Sequence, residues 1–254
     1  MKFGSQISRR QAVQSAVVAG VGAMISSSAR PAAAADSNPD NDQRKPRVIL
    51  FQGDSITDVG RDRKRQIANH PAALGRGYPF FIAGGLLSSH RDADLQIHNR
   101  GISGNKVPDL QKRWQEDCID LKPDVLSILI GVNDIWHKLN GRYDGTVETY
   151  DKGYRSLLRE TQQQLPDTRI VICEPFVLRC GAVDDKWFPE FEQRRQVARK
   201  IASDLKLTLV PFQEMFDDAT AGNVPPQYWA GDGVHPTIAG HALMAKTWRD
   251  TVGL

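Results

Sequence analysis

Val48-Ile49-Leu50-Phe51-Gln52-Gly53-Asp54-Ser55-Ile56-Thr57-Asp58 is the stretch that decides the fold class. Four apolar residues run on without alternation, the pattern of a strand covered on both faces, as parallel sheets require. The run breaks into Gly, Asp and Ser, which places the Ser just past the strand end. Residues 95–99, 125–130, 169–173 and 207–211 have the same strand character. Helical spacing fills the intervals: residues 78–88, residues 107–121, the series Val147, Tyr150, Tyr154, Leu157 and Leu158, and the series Val197, Ile201 and Leu205. A last helix spans 238–248, opened by Pro236 and Thr237. Strands alternating with helices predict α/β architecture, three layers α/β/α around a doubly wound parallel sheet. No internal repeat or second linker interrupts the pattern. In such sheets ligands bind beyond the carboxyl ends of the strands, so the residues that follow each strand carry the functional information.

Outside this region the N-terminus reads differently. Residues 1–35 hold Lys2, Arg9, Arg10 and Arg30 and no Asp or Glu, followed from Ala12 by a weakly apolar run and then Pro31-Ala32-Ala33-Ala34-Ala35. A basic start, a short apolar stretch and small residues at A-x-A spacing predict an export signal cleaved after Ala35. Ser8-Arg9-Arg10-Gln11 resembles the twin-arginine signal, which points to a periplasmic or secreted bacterial protein with no membrane anchor after cleavage. Residues 36–46 read as a flexible linker, and residues 47–254 as the folded domain. The full chain of 254 residues has a formal charge of +3. Loss of four cations and no anions would leave −1, so the pI near 8.8 signals neither nucleic acid nor an anionic lipid surface. Cys118, Cys173 and Cys180 are too few for a disulfide scaffold; Cys173 and Cys180 could be bridged in an oxidising compartment or remain free thiols. No Cys/His grouping has metal-site spacing, so no metal is expected.

Four segments follow strands or stand near the C-terminus: Gly53-Asp54-Ser55-Ile56-Thr57-Asp58, Gly101-Ile102-Ser103-Gly104-Asn105, Gly131-Val132-Asn133-Asp134 and Asp232-Gly233-Val234-His235-Pro236. In this order they resemble the conserved blocks of the SGNH (GDSL) hydrolase family. The resemblance runs from Val48 to Trp248 and is closer to bacterial GDSL-type acetylxylan esterases, through Gly60-Arg61, Arg113-Trp114, Lys122-Pro123-Asp124 and Trp136. Gly231 departs from relatives that carry a larger residue there. The resemblance implies a flavodoxin-like SGNH fold and a serine esterase acting through an acyl-enzyme without a cofactor. Ser55 would be the nucleophile, His235 the base and Asp232 its partner. The Ser55 and Gly104 backbone N–H groups and the Asn133 side chain would form the oxyanion hole. The implied substrate is an acetylated carbohydrate, with xylan or its oligosaccharides leading. Rivals are a lysophospholipase or thioesterase taking longer acyl chains, or a degenerate carbohydrate-binding protein. The G-x-S-x-G turn of α/β-hydrolases is absent.

Around this constellation, Asp54 is expected to brace the turn, and Asp134 to be a loop carboxylate. Asp58, Trp136 and Trp229 are candidates for substrate contact, Asp58 alternatively as a turn cap. Trp187 could join the two tryptophans in a stacking platform or belong to the core. Trp114 and Trp248 are expected in the core, and His241 as a hydrogen-bonded packing residue. His137 is expected on the surface or in a loop. The sequence does not specify an oligomeric state.

Overall fold

Strand β1 (Arg47–Gly53) is buried from Val48 onward: a strand pairs with each of its edges, and helices cover both of its faces. The computed structural model describes residues 47–254, so the expected export signal and linker lie outside the described residues. β1 pairs in parallel with β2 (Leu95–Asn99), Ile49 opposite Ile97, and with β3 (Val125–Leu129), Phe51 opposite Ser127. β4 (Arg169–Cys173) and a short edge strand β5 (Thr208–Val210) complete a five-stranded parallel sheet of order β2-β1-β3-β4-β5. The chain therefore moves to one side of β1 and returns to build on the other. The crevice between the carboxyl ends of β1 and β3 is the topological switch point of this architecture.

Neighbouring residues of β1 feed opposite cores. Ile49 and Phe51 pack with Tyr78 and Ile82 of α3 (Tyr78–Ser89), Phe212 and Phe216 of α8 (Phe212–Thr220) and Trp248 of α10 (Ile238–Val252). Leu50 packs on the other face with Leu110 of α4 (Val107–Lys112), Tyr154 and Leu157 of α6 (Val147–Gln164) and Ile201 of α7 (Glu190–Asp204). This is the expected three-layer, doubly wound arrangement. Ser127, buried in mid-sheet, accepts from Trp248 Nε1 at 2.9 Å, so the indole is packed without an unpaired N–H. Trp114 is likewise buried and donates to Thr161 Oγ1 at 2.9 Å. Both tryptophans are core residues, as expected.

The structure departs from the sequence reading in several places. Residues 107–121 are not one helix: α4 ends at Lys112, and a π-helical turn follows over Gln115–Ile119. There Asp120 N–H reaches the Gln115 carbonyl at 2.9 Å. The wider turn leaves the Asp117 carbonyl free of a helical partner, and Gln52 Nε2 donates to it at 2.7 Å. A helix α5 (Val132–Leu139) begins directly after β3, in a segment expected to be loop. α8, after β5, and the four-residue helices α2 (Pro71–Leu74) and α9 (Pro226–Trp229) carry no signal in the sequence. The three cysteines are buried free thiols, so the Cys173–Cys180 alternative resolves against a bridge.

Candidate active site

The turn after β1 is built around crowding. A Cβ at Gly53 would come within 2.5 Å of the Leu129 carbonyl and would strike the Thr57 hydroxyl. Asp54 then caps the four-residue helix α1 (Ser55–Asp58), its Oδ1 accepting from Ile56 N at 3.0 Å. Its carbonyl accepts from Thr57 N and Asp58 N at 3.2 and 2.9 Å. Asp54 is thus the brace expected. Burial, reinforced by the nearby Asp134 and Asp58 charges, pushes its carboxyl up to about 7.

Ser55 Oγ lies 2.8 Å from His235 Nε2, and His235 Nδ1 lies 2.7 Å from Asp232 Oδ2. The other Asp232 oxygen accepts from Val234 N at 2.9 Å and His235 N at 2.7 Å. One carboxylate therefore folds its own loop and orients the imidazole. Burial pushes the Asp232 carboxyl up, but the hydrogen bonds from the His235 ring and from the two backbone N–H groups outweigh it and hold the group below its ordinary value. The ionised carboxylate can only accept, so the hydrogen lies on His235 Nδ1 and Nε2 is free to take one from Ser55. Gly233, between them, sits at φ +86° with the Leu178 carbonyl 2.5 Å from where a Cβ would be. That close approach lets Leu178 N–H donate to the Gly233 carbonyl at 2.8 Å and Ala182 N–H to the Asp232 carbonyl at 2.9 Å. The segment after β4 thereby clamps the Asp232–His235 loop.

Two backbone N–H groups beside Ser55 Oγ's turn remain uncommitted. Among the described residues, the Ser55 and Gly104 N–H groups have no protein acceptor, while Ile56, Thr57, Asp58, Ile102, Ser103 and Asn105 N–H all do. Gly104 adopts φ +83°, a left-handed conformation that tolerates Gly at no cost. The nearest atom to a Cβ there would be His137 Cε1, 3.7 Å away, so it is the backbone angle and not space that calls for Gly. Asn133, buried in the first turn of α5, donates to the Asn105 carbonyl at 3.2 Å. Its side chain thus joins the loop after β2 to the start of α5.

One turn further along α5, Trp136 packs against the His235 ring, with centroids 5.8 Å apart, and against Trp187 at 5.5 Å. Trp187 is buried and donates to the Ala182 carbonyl at 3.0 Å, so it backs Trp136 and belongs to the core. Trp229 has different neighbours: it donates to the Ala219 carbonyl at 3.2 Å, stacks edge-on with Tyr228, and its carbonyl accepts from Thr237 N at 2.8 Å. Of the two tryptophan candidates, the structure brings Trp136 to His235 and gives Trp229 a bracing position at the start of α10. His137 lies on α5, not in a loop, and is half-buried. His241 accepts from Tyr78 N at 3.1 Å, and burial lowers its imidazole to about 4, so it is a neutral packing residue as expected.

Two carboxylates differ from expectation. Asp58 is not open to a ligand. It is buried, with Oδ1 facing Arg61 Nε and Arg63 Nε (both 3.2 Å) and Oδ2 accepting from Ser103 N (2.9 Å), Ser103 Oγ (2.6 Å) and Arg63. Asp134 is a buried helix residue and not a loop carboxylate. Its Oδ1 accepts weakly from Val107 N at 3.4 Å, and burial pushes it up to about 7. Arg61 and Arg113, which carried no role in the sequence reading, both grip the loop after β2. Arg61 Nη2 donates to the Gly101 carbonyl at 2.6 Å, and Arg113 donates to the Arg100 carbonyl and to Asn105 Oδ1, both at 2.9 Å. Among the described residues, no group of three or more His, Cys, Asp or Glu side chains is placed to hold a metal ion.

This geometry has counterparts. Residues 51–243 match the GDSL-like Lipase/Acylhydrolase family. An acetylxylan esterase of Geobacillus stearothermophilus is 34% identical over 209 residues, covering 81% of this chain and 93% of that protein. The crystal structure of an acetylxylan esterase from Geobacillus stearothermophilus superposes with a TM-score of 0.73 over 82% of this chain and 94% of that one, at 33% identity. Its catalytic mutants replace a serine, a histidine or an aspartate by alanine. A protein of Parabacteroides merdae described as GDSL-like lipase is 49% identical, with a TM-score of 0.80 over 84% of this chain and 98% of that one.

Proposed function

We propose that this chain, which belongs to the GDSL-like Lipase/Acylhydrolase family, removes acetyl groups from carbohydrates, with acetylated xylan or its oligosaccharides as the leading substrate. Family membership makes it a carboxylic ester hydrolase. The observation that carries the mechanism is the continuous line Ser55–His235–Asp232, with links of 2.8 and 2.7 Å. Ser55 attacks the ester carbonyl as His235 Nε2 takes its proton, and Asp232 stabilises the imidazolium that forms. The oxygen of the tetrahedral intermediate is received by the Ser55 and Gly104 N–H groups and the Asn133 amide. His235 returns the proton to the departing sugar hydroxyl. Water then repeats the sequence on the acetyl-enzyme, releasing acetate and restoring the serine. The intact set of five groups argues against a degenerate binding protein. The carbohydrate assignment draws on the acetylxylan esterase relative, and half-buried Trp136 beside His235 is the aromatic side chain nearest the reacting groups and suited to meet a sugar ring.

Acetate release from acetylated xylan, pectin and chitin oligomers tests the substrate. Xylan oligomers are expected to be turned over fastest, with p-nitrophenyl acetate preferred over long-chain p-nitrophenyl esters. Inactivity on all three glycans would remove the carbohydrate reading, and a long-chain preference would place the protein among lysophospholipases or thioesterases.

We also infer export, from the basic, acid-free leader with its Arg9-Arg10 pair and Ala-rich end. In a bacterial host, the Arg9→Lys, Arg10→Lys variant is expected to leave the esterase in the cytoplasmic fraction while the wild-type protein reaches the periplasm or medium. An unchanged distribution of the two would rule out the twin-arginine route.

A further inference from the structure

The loop after β2 is held at almost every point except the Gly104 N–H. Gly101 N–H donates to Asn99 Oδ1 at 2.9 Å, Ile102 N–H to the Gly53 carbonyl at 3.0 Å, and Asn105 N–H to the Ile102 carbonyl at 3.1 Å. The two grips nearest Gly104 from the nucleophile side come from Asp58 and Arg61. Asp58 Oδ2 takes both the N–H and the hydroxyl of Ser103, at 2.9 and 2.6 Å, and Arg61 Nη2 takes the Gly101 carbonyl at 2.6 Å. The two side chains are joined by Arg61 Nε to Asp58 Oδ1 at 3.2 Å and are 3% and 4% exposed, whereas Arg63, which closes on Asp58 from outside, is half-exposed.

A buried ion pair is a poor route to stability alone, because desolvation cancels much of its attraction. This one is distinguished by where its remaining hydrogen bonds end. Asp58 holds the peptide immediately before the one that carries the Gly104 N–H, and it does so from within the same short helix as Ser55. Nucleophile and oxyanion donor are thereby tied together through one carboxylate. We propose that Asp58, with Arg61, is a positioning residue that sets the Gly104 N–H against the oxyanion formed at Ser55. The proposal rests on Ser55 and Gly104 having the roles given above.

The charge matters as well as the shape. Both Asp58 oxygens face donors only: Arg61 and Arg63 on one, Ser103 and Arg63 on the other. In Asp58→Asn an amide NH₂ must face one of these sets, so either Ser103 or the arginines must move away. A displacement of the donor by a fraction of an ångström up to about 1 Å is worth about 10–10²-fold in rate. With p-nitrophenyl acetate, Asp58→Asn is expected to lower kcat by about that factor and to change KM by less than about threefold. Affinity for a boronic acid that forms a tetrahedral serine adduct should fall in parallel with kcat/KM. A purely stabilising role would lower the melting temperature and leave both quantities unchanged well below it.

Ser103→Ala keeps the backbone bond and removes the hydroxyl one, so a smaller loss of about threefold to tenfold in kcat is expected, with no further loss when it is added to Asp58→Asn. Folded Asp58→Asn with wild-type kcat, or a kcat loss without loss of boronate affinity, would overturn the proposal. Should Asp58→Asn not fold, Ser103→Ala decides: wild-type kcat and boronate affinity in that variant overturn it equally. Retained activity in Ser55→Ala would instead remove the catalytic reading on which the proposal rests.

Discussion

Ser55→Ala is expected to lower kcat on p-nitrophenyl acetate by about 10⁴–10⁶-fold while the protein stays folded. The size follows from the way the three residues act as a unit. Without the hydroxyl there is no acyl-enzyme, and His235 has only water to activate in a site arranged for a serine oxygen. What persists is the uncommitted pair of N–H groups at Ser55 and Gly104, together with Asn133, which can still polarise a bound carbonyl; such sites keep a residual rate above that in water. Stability should hardly change. Among the described residues, the Ser55 hydroxyl has one hydrogen-bond partner, His235 Nε2, in a part-buried position. Loss of such a bond costs about 1 kcal/mol or less where water can replace it. Substrate binding should persist too, since Trp136 and the loop residues are untouched. The measurement is steady-state turnover together with a melting curve. A folded Ser55→Ala protein within about 10²-fold of wild type would rule out the serine nucleophile, since it would show that most of the rate never passed through that oxygen.

The site was legible in the sequence wherever function depends on residues close together in the chain. Asp232 and His235 are three residues apart and meet through a turn that the aspartate itself closes, so their pairing follows from local chemistry. The β1 run announces burial on both faces because helices cover the sheet on both sides there and leave no solvent face to encode. Gly104 was legible through the resemblance of its segment to a family block, and its left-handed angle is the physical reason a Gly stands there. Ser55, Gly104 and Asn133, which act with groups far away in the chain, were legible only through the resemblance of their segments to the family blocks, and distant partners beyond those were not legible. Asp58 meets Ser103 across 45 positions, and nothing in the Ile56-Thr57-Asp58 stretch separates a carboxylate turned inward from one offered to a ligand. Asp134 was misplaced for a related reason: the start of α5 carries Asn and Asp, which favour caps and turns, and tertiary packing overrides that preference. The break after α4 leaves no mark in the sequence because Trp114, Cys118 and Leu121 keep an apolar spacing that an α-helix would also satisfy. The carbonyl that the wider turn leaves free, that of Asp117, is taken by the Gln52 amide from 65 positions away, a partner the local spacing does not encode.

Asp232→Asn should be nearly as damaging as loss of the serine, with kcat down about 10⁴-fold, and for a reason visible in the hydrogen-bond directions. Asp232 Oδ1 accepts from two backbone N–H groups, those of Val234 and His235, at 2.9 and 2.7 Å. An asparagine can satisfy both only with its carbonyl oxygen in that place, which puts its NH₂ where Oδ2 now meets His235 Nδ1. Nδ1 must then accept, so the ring hydrogen moves to Nε2 and points at Ser55 Oγ. A base that already carries its proton cannot take one from the serine. The loop should survive, because both backbone N–H groups keep their acceptor and the Leu178 and Ala182 bonds to Gly233 and Asp232 involve main-chain atoms alone. The expected result is therefore a folded, inactive protein with KM close to wild type. Its NMR spectrum should lack the downfield Nδ1 proton resonance expected of the wild type from the 2.7 Å Asp232–His235 bond. Turnover within about tenfold of wild type would mean that the imidazole keeps its working tautomer without the carboxylate, and that Asp232 serves the loop and not the base.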